Sequence, residues 1–354
     1  MKNKRYIFGA VLLVVVVALA VTGTWGVMKI SASKSALIPD PALRIAICKN
    51  LGISEGDLDA AKLAKITDLK VIHAGVKDLS GLELCTSLET LNIDNNDVSD
   101  LKPLQGLPNL RTLSAANNNI RILGYLTRVH SLTGLRLSGN HISDITPLEW
   151  LDSLTTLDIS DNDIWNLKPL ASLTGLNELN ICHNILLDIS PSASLAPLAK
   201  LVNLERLNIT MNCIQDLSPL RACTKLKTLF CGYNQVNDIS PLADLKGLLV
   251  LHLNYNQITD IVPLAGCLDL RDINIANNKV SDISVLAGMV NLDIVSLGNN
   301  PVQDFSPLKG DRWHLDDVSV TYWDKDLEQA MYRNSMEAAF KASGIPLFPD
   351  DIWD

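Results

Sequence analysis

The sequence predicts an α/β repeat solenoid, in which short strands of successive turns stack into one parallel sheet. Three observations predict this fold. An asparagine recurs every 22 residues through most of the chain, Leu and Ile recur at fixed places around it, and a Pro-Leu pair follows in most copies. One such turn cannot bury its own apolar face, whereas a stack of turns can.

The copies that begin at Leu88 and Leu154 show the pattern clearly: LETLNIDNNDVSDLKPLQGLPN and LTTLDISDNDIWNLKPLASLTG. Both fit L-x-x-L-x-I-x-x-N-x-I/V-x-D/N-L-x-P-L-x-x-L, and the first Leu is position 1 below. A degenerate first copy starts at Ile66 and carries Ala74 at position 9. The asparagines at position 9 of the later copies are Asn96, Asn118, Asn140, Asn162, Asn184, Asn212, Asn234, Asn256, Asn278 and Asn300. The chain therefore has eleven repeats, which end near Gly310.

Each part of the repeat has a physical role. The L-x-x-L-x-I segment predicts a short strand whose Leu and Ile side chains alternate toward the core. The asparagine is expected to end the strand and to bond backbone groups of neighbouring turns in an internal ladder. Proline at position 16 fixes φ where the chain turns back. The prolines assigned to this position are Pro103, Pro147, Pro169, Pro191, Pro219, Pro241, Pro263 and Pro307.

The sixth repeat is longer than the others by six residues, because 28 residues separate Asn184 from Asn212. The extra residues are assigned to Ser192–Pro197, on the return side of that repeat. The interpretation is a tolerated surface bulge, and the alternative is a functional protrusion.

Both ends of the stack need a cover, since a solenoid exposes its core there. PDPALRIAICKNLG at 39–52 predicts a capping helix with Asp40 as N-cap, Pro41 in the first turn and Gly52 as its end. At the other end, VSVTYWD at 318–324 predicts a last strand, and residues 324–344 predict an α-helical C-terminal cap.

The N-terminus predicts a membrane anchor. Lys2, Lys4 and Arg5 precede residues 6–28, which carry no charge and are rich in Val, Leu and Ala. A helix of this length spans a hydrocarbon core of about 30 Å, and the preceding positive charge keeps the N-terminus in the cytoplasm. The protein is then a single-pass protein of the cell membrane with its body outside the cytoplasm. The alternative is a cleaved signal peptide, with Ala18-Leu19-Ala20 as the cleavage site, and a secreted body.

These features predict six segments along the chain. They are a cytoplasmic basic segment (1–5), an anchor or signal peptide (6–28), a linker (29–37), a helical N-terminal cap (38–65), the eleven repeats (66–310) and an acidic C-terminal cap (311–354). The last segment holds ten Asp/Glu and four Lys/Arg.

Composition argues against several functions. The net charge of −9 argues against a nucleic-acid partner, because phosphate binding needs clustered Lys and Arg. The six histidines show no metal-ligand spacing, and the chain has no glycine-rich phosphate loop. No cofactor is therefore predicted.

The seven cysteines do not predict a disulfide framework. Cys85, Cys223 and Cys267 share position 20, where other repeats have Leu or Met, and Cys231 lies at position 6, where others have Ile or Leu. These cysteines are expected to be small buried apolar residues. The sequence leaves Cys182 and Cys213 as the accessible thiols. Cys182-His183 suggests a nucleophile pair, but no general base is visibly positioned for it, so catalysis is the least favoured interpretation.

The 22-residue L-x-x-L-x-I-x-x-N-x-I-x-D-I-x-P-L repeat, preceded by the P-D-P-x-L-R-x-A-I helical cap, resembles the internalin type of bacterial leucine-rich repeat protein. The resemblance covers about residues 38–310. It implies a leucine-rich repeat horseshoe with a parallel β-sheet on its concave face. It also implies an exported binding module that holds a protein partner on that face.

One part of the concave face differs from the rest. Positions 3, 5 and 7 of each strand, with position 8 at its edge, are expected to point outward. In the second and fifth repeats they are small and polar, as expected for a solvated face. Repeats six to nine carry bulkier side chains, and the predicted binding patch consists of Arg206, Met211, Phe230, Tyr233, His252 and Tyr255. Exposed aromatic side chains beside arginine are typical of interface hot spots.

The sequence therefore predicts an extracytoplasmic protein, membrane-anchored or secreted, that binds a protein or peptide partner on its concave face. The alternative is a structural protein of the cell envelope without a dedicated ligand. In that case the side chains at the strand edge pack only on one another.

Overall fold

A computed structural model describes residues 37–184, 186, 195–308 and 318–319. Within these residues the strands form one 12-stranded sheet in chain order, and every pair is parallel. Strands β1–β12 are Asp68–Lys70, Thr90–Asn92, Thr112–Ser114, Gly134–Arg136, Thr156–Asp158, Glu178–Asn180, Arg206–Asn208, Thr228–Phe230, Val250–His252, Asp272–Asn274, Ile294–Ser296 and Val318–Ser319. The predicted repeat solenoid is confirmed.

The core is a stack of identical positions. Leu91 aligns with Leu113 in the β2–β3 register, and Leu229 aligns with Leu251 in the β8–β9 register. These leucines are fully buried. Each repeat thus covers the apolar face of the next, so that burial accumulates along the stack.

The asparagines of position 9 form the predicted ladder. Asn234 Oδ1 accepts hydrogen bonds from the N–H groups of Asn212 (3.1 Å) and Ile214 (2.8 Å) in the preceding repeat. Its Nδ2 donates to the Ile209 carbonyl at 3.0 Å and to the Cys231 carbonyl at 3.1 Å. Because no other short side chain offers a carbonyl and an NH₂ group together, asparagine satisfies buried backbone groups of two repeats at once.

The return segments are short 3₁₀-helices. They are Leu82–Leu84, Lys102–Leu104, Gly124–Arg128, Thr146–Trp150, Lys168–Ser172, Ala196–Lys200, Ser218–Ala222, Ser240–Asp244, Val262–Gly266, Ser284–Gly288 and Ser306–Leu308. Proline stands in the first turn of most of them, where its missing N–H costs nothing.

The predicted position of the six extra residues is wrong. The helix of the sixth repeat is Ala196–Lys200 and carries Pro197 in its first turn, so Pro197 rather than Pro191 occupies position 16. The extra residues therefore fall before Leu195, within the range 187–194, which lies outside the described residues. The sequence offers two Ser/Ala-Pro steps, and only the packing of Leu195 and Leu198 in the core distinguishes them.

The N-terminal cap matches its prediction. Helix α1 (Pro41–Leu51) buries Leu43 and Ile47 and ends at Gly52, which has a left-handed backbone (φ 64°). One oxygen of Asp40 accepts hydrogen bonds from the N–H groups of Ala42 and Leu43. A 3₁₀ turn (Glu55–Asp57) and helix α2 (Ala60–Leu63) lead to β1.

At the other end, β12 (Val318–Ser319) confirms the start of the strand predicted at 318–324 and pairs with β11, while residues 320–324 lie outside the described residues. The predicted helix at 324–344 and the apolar segment at 6–28 lie outside the described residues. In the part of the chain that the structure describes, no helix has the length and apolarity needed to cross a membrane.

Candidate ligand-binding face on repeats 7 to 9

Strands β7, β8 and β9 bring the predicted patch residues together in rows. Position 3 aligns Arg206, Thr228 and Val250, and position 5 aligns Asn208, Phe230 and His252. Adjacent strands of a sheet lie about 4.8 Å apart, so these side chains are neighbours across strands. We call the set Arg206, Met211, Phe230, Tyr233, His252 and Tyr255 the concave patch.

The two tyrosines of the patch stack on each other. The ring centroids of Tyr233 and Tyr255 lie 4.3 Å apart, with 12° between the ring planes. Both side chains are half-buried. Stacking of neighbouring aromatic rings contributes about 0.5–1.5 kcal/mol beyond area burial, so the pair forms an ordered, partly exposed aromatic platform.

Position 8, where both tyrosines lie, has a left-handed backbone in all eleven repeats, with φ between 51° and 58° at every residue other than glycine. Asn, Asp, His or Gly occupies the position in most repeats, and these residues tolerate φ above zero better than others. Met211, Tyr233 and Tyr255 are the exceptions among the described residues. A bulky residue in this left-handed conformation costs about 1 kcal/mol of stability. The fold does not require a bulky residue there, because most repeats have Asn, Asp, His or Gly at this position.

Side chains at position 8 pair across neighbouring repeats elsewhere in the sheet. Asn117 Nδ2 donates to Asn95 Oδ1 at 3.0 Å, and Asn299 Nδ2 donates to Asn277 Oδ1 at 2.7 Å. His183 Nδ1 lies 2.5 Å from Asp161 Oδ1. The tyrosine stack therefore replaces a polar pair with an aromatic one at an equivalent point.

Phe230 does not fit the prediction of an exposed aromatic side chain. Its exposed fraction is 3%, and its ring meets the His252 imidazole edge-on with centroids 4.9 Å apart. Phe230 is therefore a buried apolar side chain that packs between two strands, and not an exposed side chain on the surface of the patch. The side chains of Arg206, Met211, Tyr233, His252 and Tyr255 all remain partly accessible.

The charged members of the patch are paired with carboxylates. Arg206 Nη1 bonds Glu178 Oε1, also at position 3. His252 Nε2 lies 3.1 Å from Asp272 Oδ2, in the next strand. Both pairs are partly buried, which fixes the orientation of the two side chains that flank the aromatic platform.

The small polar side chains of repeats 2 to 5 are bonded to one another rather than solvated as predicted. Asp94 is only 6% exposed, and its Oδ1 accepts hydrogen bonds from Ser114 Oγ at 2.7 Å and from the Ala116 N–H at 2.6 Å. Arg136 lies 3.6 Å from the carboxylates of both Asp94 and Asp158. Burial raises the pKa of Asp158. Most buried polar atoms on this half of the face are therefore paired, and Arg136 Nε is the exception among the described residues.

Buried polar side-chain atoms without a hydrogen-bond partner concentrate in repeats 7 to 9, which hold four of the six such atoms in the described part of the chain. These atoms are Asn208 Nδ2, Thr210 Oγ1, Thr228 Oγ1 and Asn254 Oδ1. All four side chains are at most 4% exposed, and buried polar groups in folded proteins are nearly always paired. Sequence reasoning missed this feature, since Thr and Asn at outward positions look like ordinary solvated residues.

The cysteines follow the sequence prediction. Cys85, Cys223, Cys231 and Cys267 are fully buried, while Cys182 is partly accessible and Cys213 is exposed. Burial raises the pKa of the Cys231 thiol to about 12. Because the thiolate is the nucleophilic form, Cys231 is a core residue without reactivity.

The described residues contain no cluster of three or more His, Cys, Asp or Glu side chains arranged to hold a metal ion. The His183 ring pairs with Asp161 of the preceding repeat. What the face offers chemically is therefore aromatic surface, fixed charges and hydrogen-bonding groups.

Two family models match the chain. Residues 38–162 match the leucine-rich repeat domain of the endo-β-N-acetylglucosaminidase EndoS, and four segments within 202–310 match a leucine-rich repeat model. No curated protein sequence gives a significant match. Leucine-rich repeat proteins are typically protein-interaction scaffolds, and this fold is a non-catalytic one.

Solved structures extend the comparison over most of the chain. An internalin (InlF) from Listeria monocytogenes is 29% identical, with a TM-score of 0.59, over 84% of this chain and 100% of that one. The plant peptide hormone receptor RGFR1, in complex with RGF2, shares only the fold, at 20% identity and a TM-score of 0.55 over 70% of this chain and 45% of that chain. Internalin C2 (InlC2) from Listeria monocytogenes is 30% identical, with a TM-score of 0.52, over 75% of this chain and 96% of that one. The chain therefore belongs to the internalin-type family of leucine-rich repeat proteins.

Proposed function

We propose that this protein binds a protein or peptide partner through the concave patch and performs no chemistry on it. The observation that carries the proposal is the Tyr233–Tyr255 stack. Its two tyrosines occupy left-handed positions that other repeats give mostly to Asn, Asp, His or Gly. A strained placement that stability does not need is typical of functional residues.

The composition of the patch supports the same function. Tyrosine and arginine are enriched in interface hot spots, because they supply a large contact area together with a polar end. Arg206 and His252 are oriented by Glu178 and Asp272. A partner therefore meets side chains whose rotamers are already fixed, which lowers the entropy cost of binding.

We further propose that the body acts outside the cytoplasm, held to the cell membrane by residues 6–28 or secreted after their cleavage. The support is the uncharged run itself and the basic residues before it. Mass spectrometry of the N-terminus in membrane and medium fractions separates the two cases. An intact N-terminus in the soluble cytoplasmic fraction would contradict both.

The binding proposal is tested with linear peptides selected from a random library on the full-length chain. The variant Tyr233→Ala plus Tyr255→Ala should lose at least tenfold in affinity for a selected peptide while its thermal stability is nearly intact. The matched control is Asn277→Ala plus Asn299→Ala, which alters the same position two repeats away and should bind normally. If no peptide is selected, or if both variants bind normally, the patch is not the site. A structural envelope protein without a dedicated ligand would give that result.

A further inference from the structure

The backbone N–H of position 7 has a recurrent partner on the concave face. In repeats 2, 6, 7 and 10 it donates to the side-chain carbonyl oxygen of an asparagine at position 5, over 3.0–3.2 Å. In repeat 5 an aspartate oxygen takes the same role, from Asp158 to the Ser160 N–H at 3.1 Å. In repeat 3 the Ala116 N–H donates to Asp94 Oδ1 of the preceding repeat at 2.6 Å, so a side-chain oxygen meets this N–H in six of the eleven repeats.

Repeats 8 and 9 lack that oxygen, because Phe230 and His252 occupy position 5. Within the described residues, no acceptor lies in hydrogen-bonding position for the N–H groups of Gly232 and Asn254. The N–H groups of Ile72, Ser138 and Gly298 share this property, but Ile72 and Ser138 are partly exposed to solvent and Gly298 lies in the last repeat. Gly232 and Asn254 are buried neighbours at the centre of the concave patch.

Four of the unpartnered side-chain atoms belong to the same three repeats as these two N–H groups. Asn208 Nδ2 is a further donor, Asn254 Oδ1 is an acceptor, and the hydroxyls of Thr210 and Thr228 can do either. All belong to repeats 7 to 9, the repeats that also carry Phe230 and the tyrosine stack. The two main-chain N–H groups and these four side-chain atoms therefore need hydrogen-bond partners that repeats 7 to 9 do not supply.

Gly232 also leaves space in the row of position 7. Its neighbours in that row are Thr210 and Asn254, and the glycine contributes no side chain between them. Its φ is not in the left-handed region, so the backbone does not require glycine here. Glycine within a strand row permits the close approach of another backbone or of a ligand.

We infer that an extended peptide segment of the partner inserts amide carbonyl oxygens at the N–H groups of Gly232 and Asn254, in the place that asparagine oxygens fill in other repeats. The inference rests on the proposed function and adds the chemistry of recognition. Successive peptide units supply several carbonyl oxygens for the three donors and an N–H for Asn254 Oδ1. The Phe230 ring changes rotamer so that the peptide segment can enter. One side chain of the peptide then packs on the tyrosine stack.

The test uses Phe230→Asn, which restores the asparagine found at position 5 of repeats 6 and 7 and so supplies Gly232 with an internal carbonyl. Its matched control is Phe230→Leu, which stays apolar and offers no acceptor. A selected linear peptide should bind Phe230→Asn about fivefold more weakly than Phe230→Leu, as expected for one lost hydrogen bond. Equal affinity in the two variants would overturn the inference.

A spectroscopic measurement makes the same test on the unaltered full-length chain labelled with ¹⁵N-glycine. The Gly232 amide signal is identified by its loss in Gly232→Ala, a substitution that Ala116 and Ala276 show to be tolerated at position 7. Peptide binding should move the Gly232 proton signal downfield and slow its exchange with solvent.

The outcomes separate the inference from the proposed function. If the peptide binds through the tyrosines but leaves the Gly232 signal unchanged, carbonyl insertion is wrong and the binding face stands. If oligomers of N-acetylglucosamine shift the Gly232 signal and peptides do not, the ligand is a glycan and the peptide assignment is wrong. If no peptide binds at all, both the face and the inference fail.

Discussion

The phenol rings of Tyr233 and Tyr255 stack 4.3 Å apart, and both residues hold a left-handed backbone, with φ values of 53° and 56°. The equivalent residues two repeats further along are Asn277 and Asn299, which are joined by a hydrogen bond of 2.7 Å. The same structural point thus accepts either a polar pair or an aromatic one. The aromatic pair, whose left-handed backbone costs more free energy, lies in the repeats where four buried polar side-chain atoms also lack hydrogen-bond partners.

The first prediction concerns the stability of this pair. Replacement of both tyrosines by asparagine relieves about 1 kcal/mol of backbone strain at each site and removes a stacking contribution of about 0.5–1.5 kcal/mol. The relieved strain of about 2 kcal/mol over the two sites exceeds the lost stacking, so the free energy of unfolding in urea should rise by about 0.5–1.5 kcal/mol. A loss above about 2 kcal/mol would assign the stack to the framework of the fold rather than to its function.

The second prediction concerns the asparagine ladder. Asn140 Oδ1 accepts from the Ile120 N–H at 2.9 Å, and Nδ2 donates to the carbonyls of Ala115 (3.0 Å) and Leu137 (2.9 Å). Asn140→Ala leaves these buried groups unpaired and should reduce the free energy of unfolding by about 2–4 kcal/mol. The control Asn119→Ala removes an exposed side chain one residue from the ladder and should cost less than about 0.5 kcal/mol. Similar losses in both variants would contradict the ladder.

The third prediction concerns acid stability at the N-terminal cap. The Asp40 carboxylate accepts from the N–H groups of Ala42 and Leu43 in helix α1 and from those of Lys77 and Asp78 in the first repeat. Partial burial acts to raise the pKa of Asp40, but the four N–H donors together outweigh it and lower the pKa below its usual value. The cap is thereby joined to the repeats by one ionised group.

Because the folded pKa lies below the unfolded value, the stabilisation by Asp40 is complete above the unfolded pKa of about 4. It is lost as the pH falls through the folded pKa. Asp40→Asn should therefore be less stable than the native chain at pH 7, and this difference should shrink as the pH falls below about 4. The exposed Asp152→Asn serves as the control for the loss of a surface carboxylate. A constant difference between the native chain and Asp40→Asn from pH 7 to 3 would refute the role of the charge.

The fourth prediction concerns thiol reactivity. In the native protein iodoacetamide should modify Cys213 fastest and Cys182 more slowly, because they alone among the seven cysteines are accessible. Burial raises the pKa of Cys85 and Cys231 to about 12 and that of Cys223 and Cys267 to about 11, so these should react only after denaturation. Peptide mapping by mass spectrometry reads each site. Modification of Cys231 before Cys213 would show that the repeat does not bury position 6.

The fold was predictable because its information is periodic. Each repeat carries the same strand, ladder and turn positions. A residue whose role is ambiguous in one repeat can therefore be assigned from the equivalent residues of the others. Cys231 illustrates this: its neighbours Phe230 and Tyr233 suggest a reactive site, but position 6 holds Ile or Leu in other repeats. The period alone identifies it as a core residue. Pro191 illustrates the limit, since the period is interrupted there and two prolines competed for one position.

The candidate site was predictable only in part. The sequence identified which side chains share the face of β7–β9, because register follows from the repeat. It did not predict that Phe230 is buried, since burial depends on the size of neighbours such as His252 rather than on strand direction. Nor did it predict the left-handed backbone of position 8 or the unpartnered N–H of Gly232. Both have a signal within the repeat, namely the Asn, Asp, His or Gly at position 8 and the replacement of asparagine by Phe230 at position 5, but the signal has meaning only once the backbone geometry of the repeat is known.

The central claim is that the partner contacts the concave face at repeats 7 to 9. Photo-crosslinking tests it most directly, with a photoreactive side chain in place of Met211 and, as the matched control, in place of Asn117 at the same position of repeat 3. We expect a peptide selected on the full-length chain to be crosslinked from position 211 and not from position 117. Crosslinking from 117 alone, or from neither position although the peptide binds, would contradict the claim.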